Sequence, residues 1–120
     1  MKSKTGIILI TGWMGFFISC AKDKGQPTSV SECSSLNVTY SSDIAGIITT
    51  NCFSNGTTNC HVSGSSFGDF TSYEGLKQKA DKGTLKTRVI DLKIMPPSNP
   101  LSTENITKIQ CWLDAGAPNN

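Results

Sequence analysis

The sequence predicts an all-α domain, small, of about four short helices joined by long loops. Three observations carry that expectation. Apolar residues recur at helical spacing in separate stretches, no stretch alternates as a half-buried strand would, and the longest connections are rich in Gly, Ser, Asn and Thr.

The elements follow in chain order. In TYSSDIAGIITTNC, Ile44, Ile47 and Ile48 fall at i, i+3 and i+4 behind a Ser41/Ser42 cap, with Asp43 in the first turn. That spacing gives a short amphipathic helix ending near Asn51. Residues 53–70 read as loop. A second helix is capped by Thr71 or Ser72, sets Tyr73, Leu76 and Ala80 on one face, and stops at Gly83. The run TLKTRVIDL offers Leu85, Val89 and Leu92 at helical spacing for a third. KIMPPSNP is expected to be extended, because Pro96 and Pro97 remove backbone donors and bar helix. The last helix has Ser102 as cap, Glu104 in its first turn, a stripe of Ile106, Ile109, Trp112 and Leu113, and Gly116 and Pro118 to close it. The loops are large for so small a core, so something other than side-chain packing must organise them.

Before the domain stands a short basic start, Lys2 and Lys4, an apolar run from Gly6 to Ile18, and Ser19-Cys20. The run has the length of a signal-peptide core and is short for a membrane span. Phe17-Ile18-Ser19-Cys20 resembles the lipobox of bacterial lipoproteins, which implies that Cys20 is lipidated and becomes the first mature residue. The expected organisation is a leader over residues 1–19, a Ser-, Lys- and Gly-rich tether over 20–37, and the helical domain over 38–120. Of 11 Lys and Arg, two leave with the leader, so nine remain against nine Asp and Glu. A near-neutral domain carries no nucleic-acid footprint. No internal repeat is evident.

Five cysteines in an exported chain call for pairing, and removing Cys20 makes the number even. On a helical wheel Cys111 lies opposite the Ile106/Ile109/Leu113 stripe, facing away from the core. Its expected partner is Cys33, which would staple the tether across the last helix. Cys52 and Cys60 remain, in NCFSNGTTNCHVSG.

That stretch also holds the only histidine, His61, directly after Cys60. A disulfide loop is one reading of two such cysteines. A zinc site is poorer, since Cys52, Cys60 and His61 supply three ligands and need a fourth. A Cys-His pair closing a two-cysteine loop is also how a c-type haem attachment site ends, normally with two residues between the cysteines where this chain has seven. With the leader removed, Met95 is the only methionine, braced by Pro96-Pro97. His on one face of a haem iron and a Met thioether on the other is the ligand pair of electron-transfer cytochromes.

YSSDIAGIITTNC, then Cys-His, then FGDFTSYEGL, then IMPPSNPLSTENITKIQCWLDAGAPNN resembles the small c-type cytochrome domain of bacterial exported proteins over about residues 38–120. The family's run is helix, cysteine pair with His, a Phe/Leu-Thr/Ser-Tyr segment, Met-Pro-Pro, and a closing helix with Trp and Gly-Ala. The resemblance implies a cytochrome c-like fold around one haem c per chain. Cys52 and Cys60 would carry the thioethers, and His61 and Met95 would be the axial ligands. The seven-residue spacer departs from the usual two, and longer spacers occur in relatives; its Asn-Gly pair and small polar residues suit a bulged loop.

The leading expectation is therefore a lipid-anchored monohaem cytochrome that transfers single electrons outside the inner membrane to a redox partner protein. It would be an electron carrier and not an enzyme, in keeping with the absence of a Ser-His-Asp order, a paired-carboxylate motif or a phosphate loop. The alternative is a haem-free, disulfide-stapled surface lipoprotein acting as an interaction module, with Cys52 bonded to Cys60. A sensor or peroxidase-like haem protein ranks last, for want of a distal His or Arg near Met95. Lys77, Lys79, Lys82, Lys86, Arg88 and Lys93 form either a docking face for an acidic partner or a solvated helix face. Trp112 is expected against the haem edge or the first helix. The membrane contact is the lipid. No aspartate directly follows Cys20, which favours the outer membrane facing the periplasm, and Lys22-Asp23 leaves the cell surface open.

Overall fold

A computed structural model of the chain describes residues 30–53 and 60–120. The expected leader, Cys20, the start of the tether and the spacer residues 54–59 lie outside the described residues.

Among the described residues all regular structure is helical, with no strand. Helix α1 is Val30–Leu36, α2 is Ala45–Cys52, α3 is Tyr73–Asp81 and α4 is Thr103–Asp114. Two π-helical turns complete them: Tyr40–Ile44 runs without a break into α2, and Lys86–Asp91 lies between α3 and α4. None of these helices is long and apolar enough to cross a membrane.

Helix α4 is the hub, packing on α1, on the Tyr40–Ile44 turn and on the Lys86–Asp91 turn. The stripes read from the sequence are what it gathers. Ile44, Ile47 and Ile48 are buried with Leu76, Leu85, Val89, Ile109 and Trp112 in one core. Ile44 and Trp112 are completely enclosed. Burying a side chain of this kind contributes about 1.5–3 kcal/mol. Leu92 departs from the expected stripe and stands 58% exposed.

The caps settle the helix starts. Ser72 accepts from the Gly75 amide, and Ser102 from the Asn105 amide, as expected for serines at N-caps. The first core helix begins earlier than the Ser41/Ser42 cap implied. Thr39 accepts from the Ser42 amide while the Asp43 carboxylate accepts from the Thr39 amide, a reciprocal capping box. Gly83 and Gly116 take positive φ, 70° and 86°, where α3 and α4 stop.

The lower part of the expected tether is helix. Cys33 of α1 is bonded to Cys111 of α4. Cys111, expected to face outward, is only 5% exposed. The expectation that it is not a buried residue is thus corrected: α1, bonded to it through Cys33 and packed on α4, covers it.

The chain's last residues close the fold. The Asn120 backbone carbonyl accepts from the Ser41 amide and its side-chain oxygen from the Tyr40 amide, each at 2.9 Å. The Tyr73 hydroxyl donates to the Ala117 carbonyl, and the Trp112 indole N–H to that of Pro118. Tyr40 stands edge-on to Tyr73, ring centroids 5.0 Å apart, and 6.0 Å from Trp112. Trp112 thus packs on the first core helix.

Candidate haem-binding site

The site grows from the C-terminal end of α2. Cys52 is its last residue, placed by the same helix that buries Ile47 and Ile48. Seven residues of spacer follow, yet the two cysteine positions come together, because the Cys60 amide donates to the Phe53 carbonyl at 2.9 Å. The two described ends of the spacer, Phe53 and Cys60, are thus held against each other. Cys52 and Cys60 are both thiols, each half-buried. Burial, with Cys60 close by, pushes the Cys52 thiol up to about 11. At neutral pH it is fully protonated.

A second loop closes immediately afterwards. The Phe70 amide donates to the His61 carbonyl at 2.9 Å, while turns inside the loop bond Ser65 to Val62 and Gly68 to Ser65. The Ser65 hydroxyl donates to the Cys60 carbonyl, which ties this loop to the first. At its far end the Asp69 carboxylate accepts from the Thr71 amide at 2.8 Å and from the Thr71 hydroxyl at 2.5 Å, bonds that hold its proton affinity below the ordinary value. These backbone and side-chain hydrogen bonds, more than apolar contacts, give the Gly/Ser-rich segment its shape.

His61 is held twice. Its ring stacks on Phe70 with centroids 4.0 Å apart and planes 1° from parallel. Its Nδ1 lies 3.2 Å from the Gly68 carbonyl oxygen. A carbonyl only accepts, so Nδ1 carries the proton, and in the neutral ring the lone pair falls on Nε2. This is the arrangement that orients an imidazole for a metal. Burial depresses the proton affinity of His61, and the charge of Lys79 depresses it further, against the opposing pull of the Gly68 carbonyl. The ring is neutral at pH 7, the ligating form.

Met95 comes from a different segment. The Arg88 carbonyl accepts from the amides of both Ile94 and Met95, which ends the π-helical turn and fixes where the thioether side chain begins. Pro96, in cis linkage to Met95, is buried. The segment is a series of bends, not the expected straight extension. Met95 is half-buried against the same core that Cys52 and Phe53 pack on. The Cys60–Phe53 backbone bond thus brings Cys60, with His61 next in the chain, beside the end of α2 that carries Cys52, while Met95 shares a core with Cys52.

Among the described residues no three His, Cys, Asp or Glu side chains converge as a metal cluster. A haem iron makes a smaller demand, since the porphyrin supplies four nitrogens and the chain only two ligands. The donor set fits that demand: a neutral imidazole with its Nε2 unprotonated, a half-buried thioether, and two half-buried thiols.

The sequence placed Phe70 in a Phe-Thr-Ser-Tyr segment without giving it a role, and did not single out Gly68. The signals for Phe70 are that motif and its place as an aromatic residue within a stretch of Gly, Ser and Asp. Nothing marks a backbone carbonyl such as that of Gly68. Compared with known proteins, the chain matches no family model, no curated protein and no solved structure.

Proposed function

We propose that this chain is a lipid-anchored c-type cytochrome that holds one haem and carries single electrons outside the inner membrane. The observation that carries the reading is the state of His61: Nδ1–H committed to the Gly68 carbonyl, ring clamped on Phe70, and placed directly after one of two thiols that carry no disulfide. Cys52 and Cys60 would hold the porphyrin through thioethers, and His61 and Met95 would ligate the iron. When bound, the group supplies a one-electron change at iron whose potential a Met ligand raises. The chain's own part is to orient His61, to keep Nε2 unprotonated, and to hold Met95 at the edge of an apolar core.

The contrast between the two cysteine pairs supports this over the stapled-lipoprotein reading. Cys33 and Cys111 are bonded across α1 and α4, while Cys52 and Cys60, close enough to feel each other electrostatically, remain thiols.

The test is a pyridine haemochrome spectrum after acid–acetone extraction, on protein made with a cytochrome c maturation system. One haem per chain that resists extraction is the expected result. His61→Ala should then remove the low-spin spectrum, and Met95→Ala should convert the reduced form to one that binds carbon monoxide. A colourless chain with Cys52 bonded to Cys60 would replace the cytochrome by the stapled lipoprotein.

A further inference from the structure

One face of the molecule combines features that the haem site does not use. The end of α3 and the Lys86–Asp91 turn frame a groove of about 360 Å³ walled by Lys82, Thr87, Arg88, Leu92 and Ile94. Leu92 and Ile94 are 58% and 46% exposed, two of the few large apolar side chains that the described residues leave in water. Large aliphatic groups side by side at the surface mark contact sites more often than single ones do.

Lys79 of the basic run between 77 and 93 lies by His61 and Gly68, and charge sorts the other five cations into two sets. Lys77 pairs with Asp81 and Lys86 with Asp91, so those two cations are neutralised locally. Lys82, Arg88 and Lys93 are exposed and have no ion pair among the described residues. Two of these three wall the groove and the third is the residue between Leu92 and Ile94. The groove also adjoins Met95, whose amide is bonded to the carbonyl of Arg88, a groove residue.

We propose that this groove docks an acidic protein redox partner, which inserts an apolar side chain between Leu92 and Ile94 and sets carboxylates against Lys82, Arg88 and Lys93. The redox character of the partner rests on the cytochrome reading; the acidic and apolar character rests on the groove alone. A basic and apolar surface also suits an anionic bilayer, but a flat lipid face meets only the rim of a concave groove. A protruding side chain fills it. Unpaired cations around an apolar centre give a partner both a faster encounter and a fixed orientation.

The test uses the full lipidated chain in detergent micelles with an acidic flavodoxin as the probe. Reduction by the flavodoxin hydroquinone is followed by stopped flow as ionic strength rises, and binding of the oxidised flavodoxin is measured by calorimetry. Arg88→Glu should slow reduction and weaken binding about tenfold at low salt and flatten the salt dependence. Leu92→Ser should weaken binding by a similar factor at every salt concentration. Lys77→Glu, the same charge change at a locally paired site, should stay within about twofold. Equal effects of Arg88→Glu and Lys77→Glu would mean that only net charge matters, and would overturn the proposal. So would an Arg88→Glu change that releases the unlipidated Cys20→Ser chain from phosphatidylserine vesicles while leaving flavodoxin binding intact. Calorimetry needs no haem, so a colourless chain refutes the cytochrome reading and still leaves the groove to be judged.

Discussion

The Cys33–Cys111 bond joins residues 78 apart in sequence, so it closes most of the described chain into one loop. Replacing both cysteines by alanine opens that loop in the unfolded state. In the chain-entropy treatment a loop of that length is worth about 4.5 kcal/mol at 25 °C. For a domain of this size each kcal/mol moves Tm by about 4–8 °C, so the double variant should melt roughly 20–35 °C below the parent. Thermal and urea unfolding followed by circular dichroism provide the assay, with both proteins in the same haem state. The urea slope adds a second signature: the unlinked unfolded chain is more expanded, so m should rise in the variant. Reduction of the parent by dithiothreitol should reproduce both changes. A loss below about 5 °C with an unchanged m would refute the reasoning and reduce the bond to a local clip on α1.

Four further outcomes test the packing and the site. Ser102→Ala removes the N-cap bond to Asn105 and should cost about 1 kcal/mol. Gly75→Ala should cost about 3 kcal/mol although alanine is the better helix former, because its Cβ would fall 1.7 Å from the Asp69 carbonyl oxygen; if it melts no lower than Ser102→Ala in the same thermal scan, the close approach of that carbonyl to α3 is wrong. In the haem-free chain Cys52 holds its proton up to about pH 11, against 9.0 for the ordinary thiol, so at pH 8 iodoacetamide should label it about a hundredfold more slowly than in urea, read by peptide mass spectrometry. The same shift fixes a sign. The unfolded thiol ionises first as pH rises, so this group's stabilisation is complete below pH 9 and disappears as pH climbs through the window to 11. Urea midpoints measured from pH 8 to 11 should fall, and a flat profile would place Cys52 in water.

Much of the fold was legible because the information was local. Ile44, Ile47 and Ile48 lie on one side of any helix they form, and a serine before Tyr73 or before Thr103 caps whatever tertiary setting it meets. The α4 stripe likewise predicted its burial and left Cys111 outside the core, which made Cys33 its natural partner. Helix α1 was not legible. Its sequence, VSECSSL, has no stripe, Leu36 stays 40% exposed, and what fixes the helix is a bond to a residue 78 positions away. The start of the first core helix was misjudged for a similar reason: Ser41 and Ser42 are good caps, but Thr39 and Asp43 cap each other and win. At the site, Cys52, Cys60, His61 and Met95 stood out as rare residues in a suggestive order. The groups that hold His61 did not, since a stacked phenylalanine and a backbone carbonyl become neighbours only when the loop closes. Leu92 shows the opposite failure, a residue on helical spacing whose π-helical turn rotates it into solvent.

The enclosure of Trp112 equips the molecule with its own optical gauge. Of the two tryptophans, Trp13 falls in the expected leader, so the mature domain would report through Trp112 alone. Its indole is 0% exposed, bonded to the Pro118 carbonyl and set beside Tyr40. Emission from the folded, haem-free chain should therefore be blue-shifted and should move red in one step when α4 leaves the core. A porphyrin held in the same small domain would instead quench it by energy transfer. One fluorescence spectrum before and after haem attachment thus reads both the integrity of the fold and the occupancy of the site, with no label introduced.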